Sequence, residues 1–106
     1  MKINVPFIHD TKIYFVTEDS NKDELIFDIQ WPKDWENNIF VSANLIFENV
    51  LNYQIHEGPF SGNPVILDIL EIGKKTDFGI ERVGFKIETN AGFRLLYCTD
   101  VKLYEK

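Results

Sequence analysis

Residues 39–47, Ile39-Phe40-Val41-Ser42-Ala43-Asn44-Leu45-Ile46-Phe47, decide between two folds. Ile39, Val41, Ala43, Leu45 and Phe47 alternate as one face of a strand, whereas Ile39, Ala43, Ile46 and Val50 also satisfy helical spacing. The strand reading is favoured. On a helical wheel Ser42, Asn44, Glu48, Asn49 and Asn52 do not gather on one side, and the stretch has few strong helix formers. The chain is therefore read as all-β, with α+β carrying one helix near residues 38–52 as the alternative.

Upstream, Lys12 to Glu18 is rich in β-branched and aromatic residues and ends in the polar run Asp19-Ser20-Asn21-Lys22-Asp23. Glu24 to Gln30 then alternates, with Leu25, Phe27 and Ile29 on one face, so these two segments make a hairpin. Trp31 to Asn38 breaks the pattern, because Pro32 cannot donate to a ladder and Asn37-Asn38 favours a turn. It is read as a loop carrying both tryptophans. Downstream, Asn49 to Glu57 continues as an extended piece after a turn or bulge near Glu48-Asn49, and Gly58 to Pro64 is a loop.

Val65 to Ile72 is a nearly continuous apolar strand, closed by Gly73 to Gly79. Ile80 to Thr89 places Val83, Phe85 and Ile87 on one face, with Arg82, Lys86 and Glu88 on the other. Asn90-Ala91-Gly92 signals a hairpin. Phe93, Leu95, Tyr97, Val101 and Leu103 then alternate along one long closing strand, with Arg94, Asp100 and Lys102 facing out and Thr99 as an exception. The whole predicts a single domain over residues 1–106, an antiparallel meander of about six or seven strands forming a sandwich or strongly bent sheet. Phe27, Ile29, Leu45, Phe47, Leu67, Val83, Phe85, Ile87, Leu95 and Tyr97 form its predicted core.

Composition agrees with this class. Ile, Val, Thr, Phe, Trp and Tyr supply 40 of 106 residues, against 11 for Ala, Leu and Met, which is strand composition. The net charge of −6 and pI near 4.8 repel phosphate backbones and anionic lipid and suit a basic protein partner. Lys74-Lys75 is the one adjacent basic pair, so no basic stripe supports nucleic-acid binding. Cys98, the single cysteine, sits in an apolar run as a small buried hydrophobe. The opening Met1 to Pro6 carries neither a signal peptide nor a membrane span, which predicts a cytoplasmic protein.

Each histidine precedes an acid, His9-Asp10 and His56-Glu57, and the two pairs together contain ligand types for a divalent metal. Neighbours on a strand point to opposite faces, however, so each pair is poorly placed to serve one ion. No metal or cofactor is predicted. Ser20, Ser42, Ser61 and Cys98 lie in no nucleophile motif, and Gly58-Pro59-Phe60-Ser61-Gly62 lacks the Lys and Ser/Thr of a phosphate loop.

The surface signal lies in Trp31-Pro32-Lys33-Asp34-Trp35-Glu36, where Trp31, Asp34, Trp35 and Glu36 combine large aromatics with acids in the manner of a protein-binding hot spot. The competing reading is that one or both tryptophans plug the end of the core. Glu18, Asp19, Asp23 and Glu24 form an acidic cluster at the first hairpin turn, read as a solvated tip. A non-enzymatic binding protein is the resulting expectation. A small metal-dependent or hydrolytic enzyme using the His–acid pairs, and a purely structural domain, are the alternatives.

Four segments, Ile8-His9-Asp10-Thr11-Lys12-Ile13, Leu25-Ile26-Phe27-Asp28-Ile29, Ile46-Phe47-Glu48-Asn49-Val50 and the hairpin from Gly92-Phe93-Arg94-Leu95-Leu96 to Val101-Lys102-Leu103, give the chain an order that resembles a group of small bacterial β-rich proteins. The group includes proteins assigned as immunity proteins of polymorphic toxin systems and relatives of unknown function. The resemblance implies a cytoplasmic binding protein without cofactor that neutralises a toxin by covering it. It also implies that His9 and Asp10 define the fold and have no catalytic role. The Gly58–Pro64 loop stands outside the resemblance.

Overall fold

A computed structural model describes residues 3, 5, 6 and 8–106. The reading of the N-terminus therefore rests partly on Met1, Lys2 and Asn4, which lie outside the described residues. Eight strands follow one another: β1 (Thr11–Asp19), β2 (Glu24–Asp34), β3 (Ile39–Glu48), β4 (Leu51–Glu57), β5 (Val65–Asp77), β6 (Ile80–Thr89), β7 (Gly92–Cys98) and β8 (Asp100–Glu105). All pair antiparallel in one sheet, in the order β4-β7-β6-β5-β1-β2-β3-β8. The segment 39–47 is strand, with Ala43, Leu45 and Phe47 buried as the alternation predicts.

The sheet curls back on itself. One ladder runs through the bend between β3 and β4 and the bend between β7 and β8, with Glu48 opposite Asp100 on one side and Leu51 opposite Tyr97 on the other. β3–β4 and β7–β8 are thus two long bent strands, each crossing from one half of the molecule to the other. Thr99 forms the second bend; its N–H donates to the Glu48 carbonyl at 2.9 Å. This bend divides the single closing strand read from the sequence and brings the count to eight. The ring of strands is completed where Thr11 and Lys12 pair with Ile66 and Val65.

The core sits inside this curl. Phe27 on β2 packs edge-on against Phe47 on β3, with ring centroids 5.2 Å apart, and against Tyr53 on β4 at 6.2 Å, so one side chain joins both halves. Val83, Phe85 and Ile87 line the interior of β6.

Several parts of the sequence reading need correction. β2 does not stop at Gln30: it continues through Trp31-Pro32-Lys33-Asp34, and a register shift between Trp31 and Asp34 accommodates the proline that cannot donate. The loop shrinks to residues 35–38. β5 likewise runs through Gly73 to Asp77, leaving Phe78-Gly79 as the whole turn, and Leu67 falls at an irregularity between Ile66 and Asp68 that turns it outward to 41% exposure.

β7 is inverted. Arg94, Leu96 and Cys98 face the core, while Phe93, Leu95 and Tyr97 lie half-buried on the outer face. Pairing dictates this, because the tight turn at Asn90-Ala91 sets Thr89 opposite Gly92, which aligns Ile87 with Arg94, Phe85 with Leu96 and Val83 with Cys98. Opposite residues share a face, so the core face of β6 determines that of β7. The outer face is itself partly covered, since the Tyr97 ring lies across Gly84, where a Cβ would stand 2.6 Å from Tyr97 Cε1. Arg82 also departs from its predicted outward position; it is buried, and its Nε donates to the Asn49 carbonyl at 2.7 Å.

Candidate functional site

The β2–β3 turn is built by its own polar residues. Asp34 Oδ1 accepts the Asn37 N–H at 3.2 Å and Oδ2 accepts the Asn37 side-chain amide at 2.7 Å, an Asx-type closure. Asn38, at φ 56°, supplies the left-handed residue and donates its N–H to the Trp35 carbonyl at 3.2 Å. Hydrogen bonds from the Asn37 side chain and then its backbone hold the Asp34 carboxyl below the usual carboxylate range, so it is ionised at neutral pH.

Trp35 stands on this turn with 59% of its surface exposed, and its indole Nε1 donates to Asp10 Oδ2 at 3.1 Å. The same carboxylate oxygen lies 3.1 Å from His9 Nδ1. Asp10 thereby holds a solvent-facing tryptophan in one orientation. At the start of β3 Ile39 and Phe40 are 48% and 38% exposed, and Glu36 is exposed. Trp31 belongs elsewhere: it is half-buried and packs against the core, with Pro32 buried next to it. Of the four residues predicted to bind a partner, Trp35 and Glu36 present themselves to solvent, Asp34 shapes and charges the turn, and Trp31 acts as a wall of the core.

The two His–acid pairs do separate work. His56 is exposed, stacked on Phe93 at 4.8 Å between centroids, with Nε2 2.9 Å from Gln54 Oε1. Glu57 points the other way, into the end of the core, where Arg94 donates Nε to Oε2 at 2.9 Å and Nη2 to Oε1 at 2.8 Å. Thr89 Oγ1 donates to the same carboxylate at 3.0 Å, and Arg94 Nη1 donates to Tyr53 Oη at 3.0 Å. Burial opposes ionisation of Glu57, but the Arg94 hydrogen bonds and charge and the Thr89 bond outweigh it and leave the carboxyl below its ordinary value. Among the described residues no three His, Cys, Asp or Glu side chains converge as metal ligands.

Burial pushes the Cys98 thiol up to about 12, so it is no thiolate at neutral pH. Part of the acidic cluster lines a pocket of about 190 Å³: Glu18, Asp23 and Glu24 meet Asn52 and Tyr53 there. Asp19 is spent on its own turn, accepting the N–H groups of Asn21 and Lys22 at 3.1 and 3.3 Å.

Sequence reasoning missed the link from Asp10 to Trp35 and the exposure of Ile39 and Phe40. The first joins residues far apart in the chain and leaves no local signal. Alternation at the strand start accounts for the exposure of one of Ile39 and Phe40 and leaves no local signal for the other. Compared with known proteins, the chain matches no family model, and no curated protein is significantly similar to it. Among the described residues no helix is long and apolar enough to cross a membrane.

Proposed function

We propose that the chain is a non-enzymatic binding module that covers a basic protein surface with its β2–β3 turn, in the manner of an immunity-type inhibitor acting in the cytoplasm. The observation that carries this reading is Trp35, exposed over most of its ring yet fixed through its indole N–H by Asp10. An aromatic anchor already held in place loses little freedom on binding. Asp34, Glu36 and the net charge of −6 favour a partner of opposite sign and steer its approach.

The test is capture of the partner from the source cell, followed by titration of purified components. Trp35→Ala should weaken binding by about 2 kcal/mol or more with the urea midpoint of the free protein unchanged. Glu36→Lys should chiefly slow association at low salt and have little effect at high salt. It is a cleaner charge probe than Asp34→Lys, because Asp34 also closes the turn. Undiminished affinity in Trp35→Ala would reject this surface, and loss of folding in that variant would show that the tryptophan is structural.

A further inference from the structure

β6 turns Val83, Phe85 and Ile87 into the core, whereas its neighbour β5 is largely exposed beyond Ile66. β5 pairs with β6 along its length but with β1 only at Val65 and Ile66, so its outer edge beyond them has no partner strand among the described residues. Such an edge presents unpaired N–H and C=O groups to any chain that can lie beside it. Leu70, Ile72 and Ile80 are each more than 40% exposed on this hairpin, and Phe78 at its tip is 98% exposed. Phe78 and Gly79 have φ of 52° and 76°, the two positive values a type I′ turn requires. Asparagine or aspartate sits there with less strain than a bulky aromatic, and almost nothing in the single molecule touches the ring.

We propose that the outer edge of β5 pairs antiparallel with the same edge of a second copy of this chain, about a two-fold axis at Thr76. Residues facing each other across such a pair share a face, so an axis normal to the sheet must pass beside one residue and set it opposite its own copy. An axis at Lys74 or Lys75 opposes lysine to lysine, and one at Asp77 opposes two carboxylates. At Thr76 the threonines face one another and Lys75 faces Asp77 of the second copy on both sides of the axis. Opposite charges and a threonine pair are favoured neighbours.

The side chains are available for this exchange. Lys75 Nζ lies 3.6 Å from its own Asp77, and Lys74 Nζ 3.9 Å from Glu81, both loose surface pairs. Residues 73–82 carry Lys74, Lys75 and Arg82 against Asp77 and Glu81, so this stretch lacks the negative charge that keeps the rest of the molecule apart. An axis at Gly73 opposes Glu71 to Lys75 as well, but it runs Asp77 of the second copy alongside Ile69, where Val5, Pro6, Ile8 and His9 lie against β5.

Sedimentation equilibrium at protein concentrations up to about 1 mM tests this, since an interface of a few residue pairs belongs to the weak, transient class. The expected result is a concentration-dependent dimer whose dissociation constant rises at least tenfold in Lys75→Asp and in Asp77→Lys. It should recover in the double variant Lys75→Asp/Asp77→Lys, which inverts both ion pairs. Concentration-dependent amide shifts confined to residues 73–78 would support the same edge, and they are read on the wild type should a variant fail to fold. A monomer at every concentration, single variants that dimerise like the wild type, a double variant that stays dissociated, or shifts centred on residues 35–40 would each overturn the proposal.

Discussion

Arg94 is a charged residue on the inner face of β7, with its guanidinium carbon 5.8 Å from the Phe27 ring centroid. The position is tolerable because Glu57 takes two of its donors and Tyr53 a third, so few polar atoms are left unsatisfied when the pair leaves water. Removing one partner of a buried pair strands the other: Glu57→Gln should destabilise the domain by roughly 3 kcal/mol or more in urea unfolding. The pH dependence follows from the lowered Glu57 pKa. A carboxyl depressed in the folded state stabilises fully above its ordinary value of 4.5, and that contribution is lost as pH falls through the lower folded value. The urea midpoint of the wild type should therefore drop on acidification below about pH 5, and Glu57→Gln should show a shallower fall over the same range.

Among the elements, the β5–β6 hairpin shows how a strand extends past its apparent end. Gly73 looked like the end of a strand and is instead a residue at φ 131° inside one, beside a register shift between Glu71 and Gly73. The turn beyond it carries an unfavourable residue. Phe78→Asn places at φ 52° a side chain that accepts the left-handed region, so it should raise the stability of the monomer by about 0.5–1 kcal/mol, read as a higher thermal midpoint at low protein concentration. An unchanged or lowered midpoint would show that the Phe78 ring has a stabilising contact in the monomer. Gly84 on β6 illustrates the opposite constraint, because Tyr97 and Ile72 occupy the space a Cβ would need.

On the scale of the whole molecule, closure depends on a few groups. The ring of strands is sealed between β1 and β5 by two residue pairs, aided by the N–H of Ile13 donating to the Pro64 carbonyl at 2.9 Å and that of Asp10 to the Ile66 carbonyl at 2.8 Å. Side chains that span the interior must hold the halves together, and Phe27 touches residues of both. Phe27→Ala should cost about 3–5 kcal/mol, a large part of the stability of a domain this size, and should lower the single cooperative denaturation midpoint seen by circular dichroism and by fluorescence alike. Separate transitions for the two probes would mean that the halves fold independently.

Period-two patterning determined the all-β class, the β1–β2 hairpin, the strand at 39–47 and the inner face of β6, because each rests on alternation along one strand, a property local to the chain. The stretch around Trp35 was legible as a candidate surface, but its residues left open whether the tryptophans plug the core, and the tertiary structure exposes Trp35 while it packs Trp31 against the core. What the sequence left open was set by pairing between distant strands. Phe93-Leu95-Tyr97 is a better apolar set than Arg94-Leu96-Cys98, yet the register imposed by β6 puts the second set inside, and Glu57 from β4 makes the arginine tolerable there. The Asp10 anchor on Trp35 and the edge of β5 that has no partner strand among the described residues were likewise decided by tertiary structure alone, since register and edge exposure are relations between strands that no single strand's residue pattern contains.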